Sequence, residues 1–257
     1  MSAAPVPTVF ITGASSGVGA ALAAHYAARG AQLGLVARRA ETLAKLALPG
    51  EPARYAADVA DAPAMAAAAR DFMTRFGVPD IVIANAGISV GTLTEHADDI
   101  PVFSRVLRTN VVGLAATFHP FIAPMREAGR GRLAGIASIS GLRGLPGAGA
   151  YSASKAAAIA YLEALRVELR ASGVKVVTVC PGYIATPMTA VNPYRMPFIL
   201  SADAAARRIA RLIDAGRSYA VVPWQMALVA RLMRVLPNAV YDRIAQRAGR
   251  KPRGLPL

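Results

Sequence analysis

Short apolar runs alternate along the chain with longer Ala-rich stretches whose apolar positions recur every three to four residues. Runs at 8–12, 32–37, 54–58, 81–85, 132–138, 175–180 and 218–222 read as short buried strands. Between them, 18–29, 62–76, 101–128, 151–171 and 202–215 read as helices. Glycine and proline breakers such as Gly30, Gly77, Pro79, Gly129 and Gly173 stand at the joints, each where a helix has to end. Strands alternating with helices predict a parallel sheet covered on both faces, an α/β architecture of about seven strands.

Two regions break the rhythm. The stretch 181–201, rich in Pro, Tyr and Met, reads as a substrate loop. Residues 223–257 read as a basic, apolar helical extension of the domain formed by 1–222. Within it, 224–236 is apolar around most of a helical circumference and needs a cover. The expected cover is protein; a membrane surface, with Arg231 and Arg234 as flanking charges, is the lesser alternative.

Composition narrows the picture further. With 54% hydrophobic residues in 257 the chain can bury a large core. The lone Cys180 excludes an internal disulfide framework and a thiolate metal cluster. It sits in an apolar run and is expected to be a buried strand residue. His96 and His119 show no partner pattern, and no metal is expected. No signal-peptide pattern opens the chain and no run reaches a membrane span, so a cytoplasmic protein is expected. The net charge is +14, and residues 191–257 carry 12 Lys or Arg against 3 Asp. Such an excess raises the question of anionic partners, but no dense basic run precedes Arg250, and a solvated surface is the simpler reading.

The chemistry begins directly after the first strand, in Thr12-Gly13-Ala14-Ser15-Ser16-Gly17-Val18-Gly19. Glycines permit a tight turn, and the next helix offers unpaired N–H groups to a pyrophosphate. The glycine spacing differs from G-x-G-x-x-G. Further on, Tyr151 and Lys155 stand four apart, so on a helix they share a face.

These residues resemble the short single-domain branch of the short-chain dehydrogenase/reductase family, whose landmarks occur in order over nearly the whole chain. The resemblance implies a Rossmann-type doubly wound parallel sheet. It places Asp58 and Val59 near the adenine, and Asn85, Ala86 and Gly87 beside the cofactor ribose. Pro181, Gly182, Ile184 and Thr186 would close over the nicotinamide. It also implies a catalytic set: Tyr151 as general acid/base, Lys155 tuning it and binding the ribose, Ser138 orienting the substrate oxygen, and Asn110 holding a water of the proton relay. A homodimer or homotetramer through the helices carrying Asn110 and Tyr151 is implied likewise.

At the end of the second strand, where a carboxylate would repel a 2′-phosphate, the chain has Arg38 and Arg39. Two guanidiniums suit a phosphate, so NADP(H) is expected over NAD(H). The expected reaction is hydride transfer between the nicotinamide and a small-molecule carbonyl or alcohol, with Leu142, Leu145, Pro146, Tyr183, Met188, Met196 and Ile199 pointing to a hydrophobic substrate. The alternative is a non-catalytic nucleotide sensor or nucleic-acid-binding protein on the same fold, for which the serine, tyrosine and lysine set would serve no purpose. The tyrosine-and-lysine epimerases and dehydratases are a second rival, but this chain has no separate C-terminal substrate domain.

Overall fold

A computed structural model describes residues 6–255. Seven parallel strands form one sheet: β1 (Thr8–Thr12), β2 (Gln32–Ala37), β3 (Ala53–Ala56), β4 (Ile81–Ala84), β5 (Gly131–Ile136), β6 (Val174–Pro181) and β9 (Tyr219–Val222). They lie in the order β3-β2-β1-β4-β5-β6-β9. The order reverses between β1 and β4, which opens a crevice at their carboxyl ends. A separate two-stranded ribbon pairs β7 (Ile184–Ala185) with β8 (Leu200–Ser201). This is the Rossmann-like α/β sheet that the alternating pattern implies.

The central strands are buried on both faces because helices cover both. One face packs Leu22 and Tyr26 of α1 (Gly17–Ala27) and Ile209 and Ile213 of α8 (Ala202–Asp214) over Ile11, Leu33 and Val179. The other is an aromatic core in which Phe10 meets Phe72 of α3 (Ala62–Phe76) and Phe121 of α5 (Gly113–Glu127), with ring centroids 5.3 and 4.9 Å away. Leu162 of α6 (Gly149–Glu168) completes that face. Gly34 is required there, since a Cβ would stand 2.4 Å from the Phe72 ring.

Several boundaries depart from the sequence pattern. The stretch 101–128 is not one helix: α4 (Asp99–Leu107) leads through a π-helical turn, Arg108–Val112, into α5. An extra residue in a turn rotates the rest of the helix by about 100°, and a hydrophobic period cannot register it. Asp58, Asn85 and Ser138 all lie just past the ends of their strands, and α6 begins two residues before Tyr151. Short elements escaped the pattern: α2 (Ala40–Ala44), α7 (Pro187–Ala190), β7 and β8.

The extension holds two helices, α9 (Trp224–Val235) and α10 (Asn238–Ala245), and then an irregular strap. The strap runs back across the molecule. Gly91 N–H donates to Pro252 O at 2.9 Å, Lys251 Nζ donates to Met188 O at 2.7 Å, and Arg253 Nε donates to Asp99 Oδ2 at 2.7 Å. Protein does cover part of α9, as expected, with Met226 and Ala230 buried beside Ile139; its outer face stays bare.

Candidate functional site

The first turn of the site is dictated by close backbone approach. Gly13 and Gly17 have φ of +67° and +56°, the left-handed region. A Cβ at Gly13 would lie 2.7 Å from Ala86 Cα, and one at Gly19 would lie 2.2 Å from the Gly13 carbonyl oxygen. Asn85 fixes the turn from below: its Nδ2 donates to Thr12 O at 3.0 Å and Gly13 O at 3.3 Å, while Thr12 Oγ1 accepts from the N–H groups of Asn85 and Ala86. Ser16 stands at the N-cap of α1 without a side-chain capping bond, so the first-turn N–H groups have no capping side chain. Such a helix start suits an anion.

Across the crevice, Ser138 sits in extended backbone just beyond β5, and its Oγ accepts the Ser140 N–H at 3.1 Å. Its hydroxyl proton can therefore be aimed elsewhere. Tyr151 and Lys155, one turn apart on α6, both border the same cavity as Ser138. Lys155 is buried; its Nζ donates to Ile136 O at 2.8 Å and lies 5.8 Å from the centre of the Tyr151 ring. Burial brings the Lys155 amine down to about 8. Burial also pushes the Tyr151 phenol up from its ordinary value, with the Ser138 hydroxyl opposing the shift. Burial thus favours the protonated phenol. Gly141 allows this packing, since a Cβ there would meet the Lys155 carbonyl carbon at 2.6 Å.

Asn110 lies in the π turn, buried behind the cavity rather than in its wall. Its Oδ1 accepts the Ile88 N–H at 2.9 Å, and its Nδ2 donates to Ile88 O at 3.0 Å and Ser154 Oγ at 2.9 Å. The amide side chain is committed to protein partners, which tie the loop after β4 to α6. Gly87 is pressed close by, its missing Cβ 3.2 Å from Asn110 Oδ1 and 3.6 Å from Lys155 Nζ.

The cavity between these walls measures about 760 Å³. It is bordered by every catalytic or cofactor-binding residue singled out from the sequence except Gly19 and Asn110: Gly13, Ser15, Ser16, Gly17, Val18, Arg38, Arg39, Asp58, Val59, Asn85, Ala86, Gly87, Ser138, Tyr151, Lys155, Pro181, Gly182, Ile184 and Thr186. Asp58 turns Oδ1 to the Ala60 N–H at 2.9 Å. Thr186 closes over the turn, its Cγ2 3.2 Å from where a Gly17 Cβ would be. Residues the sequence reading missed include Ile88, Ser89, Thr109 and Thr189. Thr189 was findable from its spacing, three after Thr186, where its Oγ1 accepts the Thr186 N–H at 3.1 Å at the start of α7. Of the apolar groups expected around the substrate, Met188 borders the cavity, whereas Leu142 packs under α9 and Ile199 faces solvent. Among the described residues no cluster of His, Cys, Asp or Glu could hold a metal ion. Cys180 is buried at the end of β6.

A dinucleotide fits this shape. The glycine turn leaves a cradle that side chains would fill, the helix start above it offers N–H groups, and the cavity runs from Arg38 and Arg39 at one end to Tyr151 at the other. A phenol and an amine facing such a cavity suit hydride exchange at an alcohol or carbonyl carbon, which defines the class: a nicotinamide-dependent oxidoreductase. Residues 7–195 match the short chain dehydrogenase family, and the chain belongs to it. An uncharacterized oxidoreductase of Myxococcus xanthus is 38% identical over 248 residues, 93% of this chain and 96% of that protein. Among solved structures, a 3-ketoacyl-(acyl-carrier-protein) reductase from Brucella melitensis complexed with NADH is 26% identical, with a TM-score of 0.75 over 84% of this chain and 96% of that one. L-Sorbose reductase from Gluconobacter frateurii, complexed with NADPH and L-sorbose, is 25% identical, with a TM-score of 0.77 over 84% of this chain and 95% of that one.

Proposed function

We propose that this protein is an NADP(H)-dependent reductase or dehydrogenase of a hydrophobic carbonyl or secondary alcohol. The observation that carries the reading is the convergence of Ser138, Tyr151 and Lys155 on one end of a cavity whose other end is bordered by Arg38 and Arg39. Bound there, the nicotinamide supplies the hydride in reduction and accepts it in oxidation. Ser138 donates to the substrate oxygen and orients it. Tyr151, protonated in the unliganded site, gives its proton to the oxygen as the carbonyl carbon is reduced; in oxidation the phenolate takes the alcohol proton. Lys155 holds the ribose and stabilises that phenolate. Asn110 acts as a positioning residue, since its side chain fixes the loop from Ile88 rather than facing the reactants. Asp58 and Val59 would border the adenine, Asn85, Ala86 and Gly87 the ribose, and Pro181, Gly182, Ile184 and Thr186 would cover the nicotinamide. Ile184, Pro187, Met188 and Ile88 give the substrate side an apolar character.

Preference for the phosphorylated cofactor rests on the two guanidiniums and on Ser15 beside them. Titration with NADPH and with NADH, followed by nicotinamide fluorescence, is expected to show tighter NADPH binding. Replacing both arginines (Arg38→Ala with Arg39→Ala) should weaken NADPH by about tenfold or more and leave NADH nearly unchanged. Tyr151→Phe is expected to bind NADPH normally and to lose at least about a hundredfold in turnover across a panel of apolar ketones and aldehydes. Normal turnover by that variant would remove the assigned proton donor.

A further inference from the structure

The outer faces of α9 and α10 form an amphipathic surface that the fold leaves bare. Trp224, Leu228, Leu232 and Val235 succeed one another along one side of α9, and Val240 and Ile244 along one side of α10, with relative exposures between 44% and 76%. Spacings of four, four and three keep the α9 side chains on one stripe. Arg231 and Arg234 flank that stripe on one side, Arg243 stands in the same relation to the α10 pair, and Arg247 lies two residues past the end of α10. All four are exposed, and none is ion-paired among the described residues. Asp242 is the sole acidic residue in 224–247.

The surface is held in shape. Arg143 caps the end of α9, donating from Nη1 to Met233 O at 2.5 Å and Leu236 O at 2.7 Å and from Nη2 to Asn238 Oδ1 at 2.8 Å; its guanidinium lies 4.0 Å from the centre of the Tyr241 ring. The inner side of α9 is fixed by Met226, buried against Ile139. The apolar stripe therefore cannot turn inward without breaking these contacts.

We propose that α9 and α10 dock this protein onto an anionic lipid surface, with the Trp224 stripe entering the boundary between headgroups and acyl chains. Aromatic and aliphatic side chains on one face, bordered by guanidiniums that reach lipid phosphates, are what such an interface takes. A second copy of the chain is a poorer occupant: across a two-fold contact with the helices antiparallel, four arginines would meet the same four, with one aspartate on each side to offset them. Nucleic acid would engage the guanidiniums and leave the aliphatic stripe without a partner. Met226 lies over Gly182, which borders the cavity, so docking sets the Gly182 side of the cavity towards the bilayer.

Trp224 is the only tryptophan in the chain, so its emission reports this face directly. The full-length protein is titrated with phosphatidylcholine vesicles and with vesicles of equal parts phosphatidylcholine and phosphatidylglycerol, following emission and co-sedimentation. The expected result is a blue shift and co-sedimentation with the anionic vesicles alone, suppressed by high salt. Leu228→Ser with Leu232→Ser should abolish the shift. Arg231→Ala with Arg234→Ala, at exposed positions that put little strain on the fold, should weaken binding by about thirtyfold. NADPH binding checks that each variant is folded. Equal binding to neutral vesicles would overturn the anionic assignment. No binding to either would overturn the proposal, as would a blue-shifted Trp224 in a self-associated protein without lipid, or salt-sensitive binding to duplex DNA in place of vesicles.

Discussion

Lys155 carries its amine into a place where water is scarce and the Ile136 carbonyl is its hydrogen-bond partner. In the unfolded chain that amine titrates near 10.5; in the fold, burial brings it to about 8. Below pH 8 both states are protonated and the whole desolvation cost weighs on the fold. As pH rises from about 8 towards 10.5 the folded amine loses its proton first, the cost is relieved, and the folded state gains stability. The change attributable to Lys155 is on the order of 3 kcal/mol. Thermal melts of the unliganded protein across that window should rise less steeply with pH for Lys155→Met than for the wild type. Lys251, also brought to about 8 by burial, keeps the remaining slope in both proteins. Residue type and spacing made Lys155, Tyr151 and Ser138 legible from the sequence, because the chemistry demands those groups. The phenol's upward shift was not, since burial, which outweighs the opposing Ser138 hydroxyl, is known only once the packing is.

At the scale of elements, the strands were legible because a sheet buried on both faces leaves continuous apolar runs, as in the fully buried β1 and β4. The helix from 101 to 128 was misread because Asn110 is pulled inward by Ile88 and Ser154, contacts that no local pattern encodes. The second helix of the extension was missed for another reason: Asn238–Ala245 is short, and Arg143, 95 positions from Asn238, anchors its start. That arginine satisfies the carbonyls at the end of α9, where the helix has no further partners. Arg143→Ala should therefore leave α6 and the sheet unchanged while amide hydrogens at 236–244 exchange faster, as read by mass spectrometry. Unchanged exchange there would mean that packing alone holds the two helices together.

Across the whole molecule, the reversal of strand order between β1 and β4 places the carboxyl ends of β1, β2, β4, β5 and β6 around one crevice, so residues far apart in sequence meet without any one of them being strained into place. Alternation and punctuation disclose this arrangement, which is why the nucleotide side of the site could be read from the chain almost residue by residue. The substrate side could not, because part of it depends on the strap. Its hold on the loop after β4 runs through main-chain atoms, Gly91 N–H to Pro252 O, and a Cβ at Gly91 would fall 2.1 Å from the Lys251 carbonyl oxygen. The match to the family ends at residue 195, well before the strap begins. For a lineage diversifying its substrates, the two halves of the site can consequently change at different tempos: strap side chains other than Lys251 and Arg253 can drift while the main-chain handhold persists, and the mutation that would break that handhold lies some 160 positions upstream, at a single glycine.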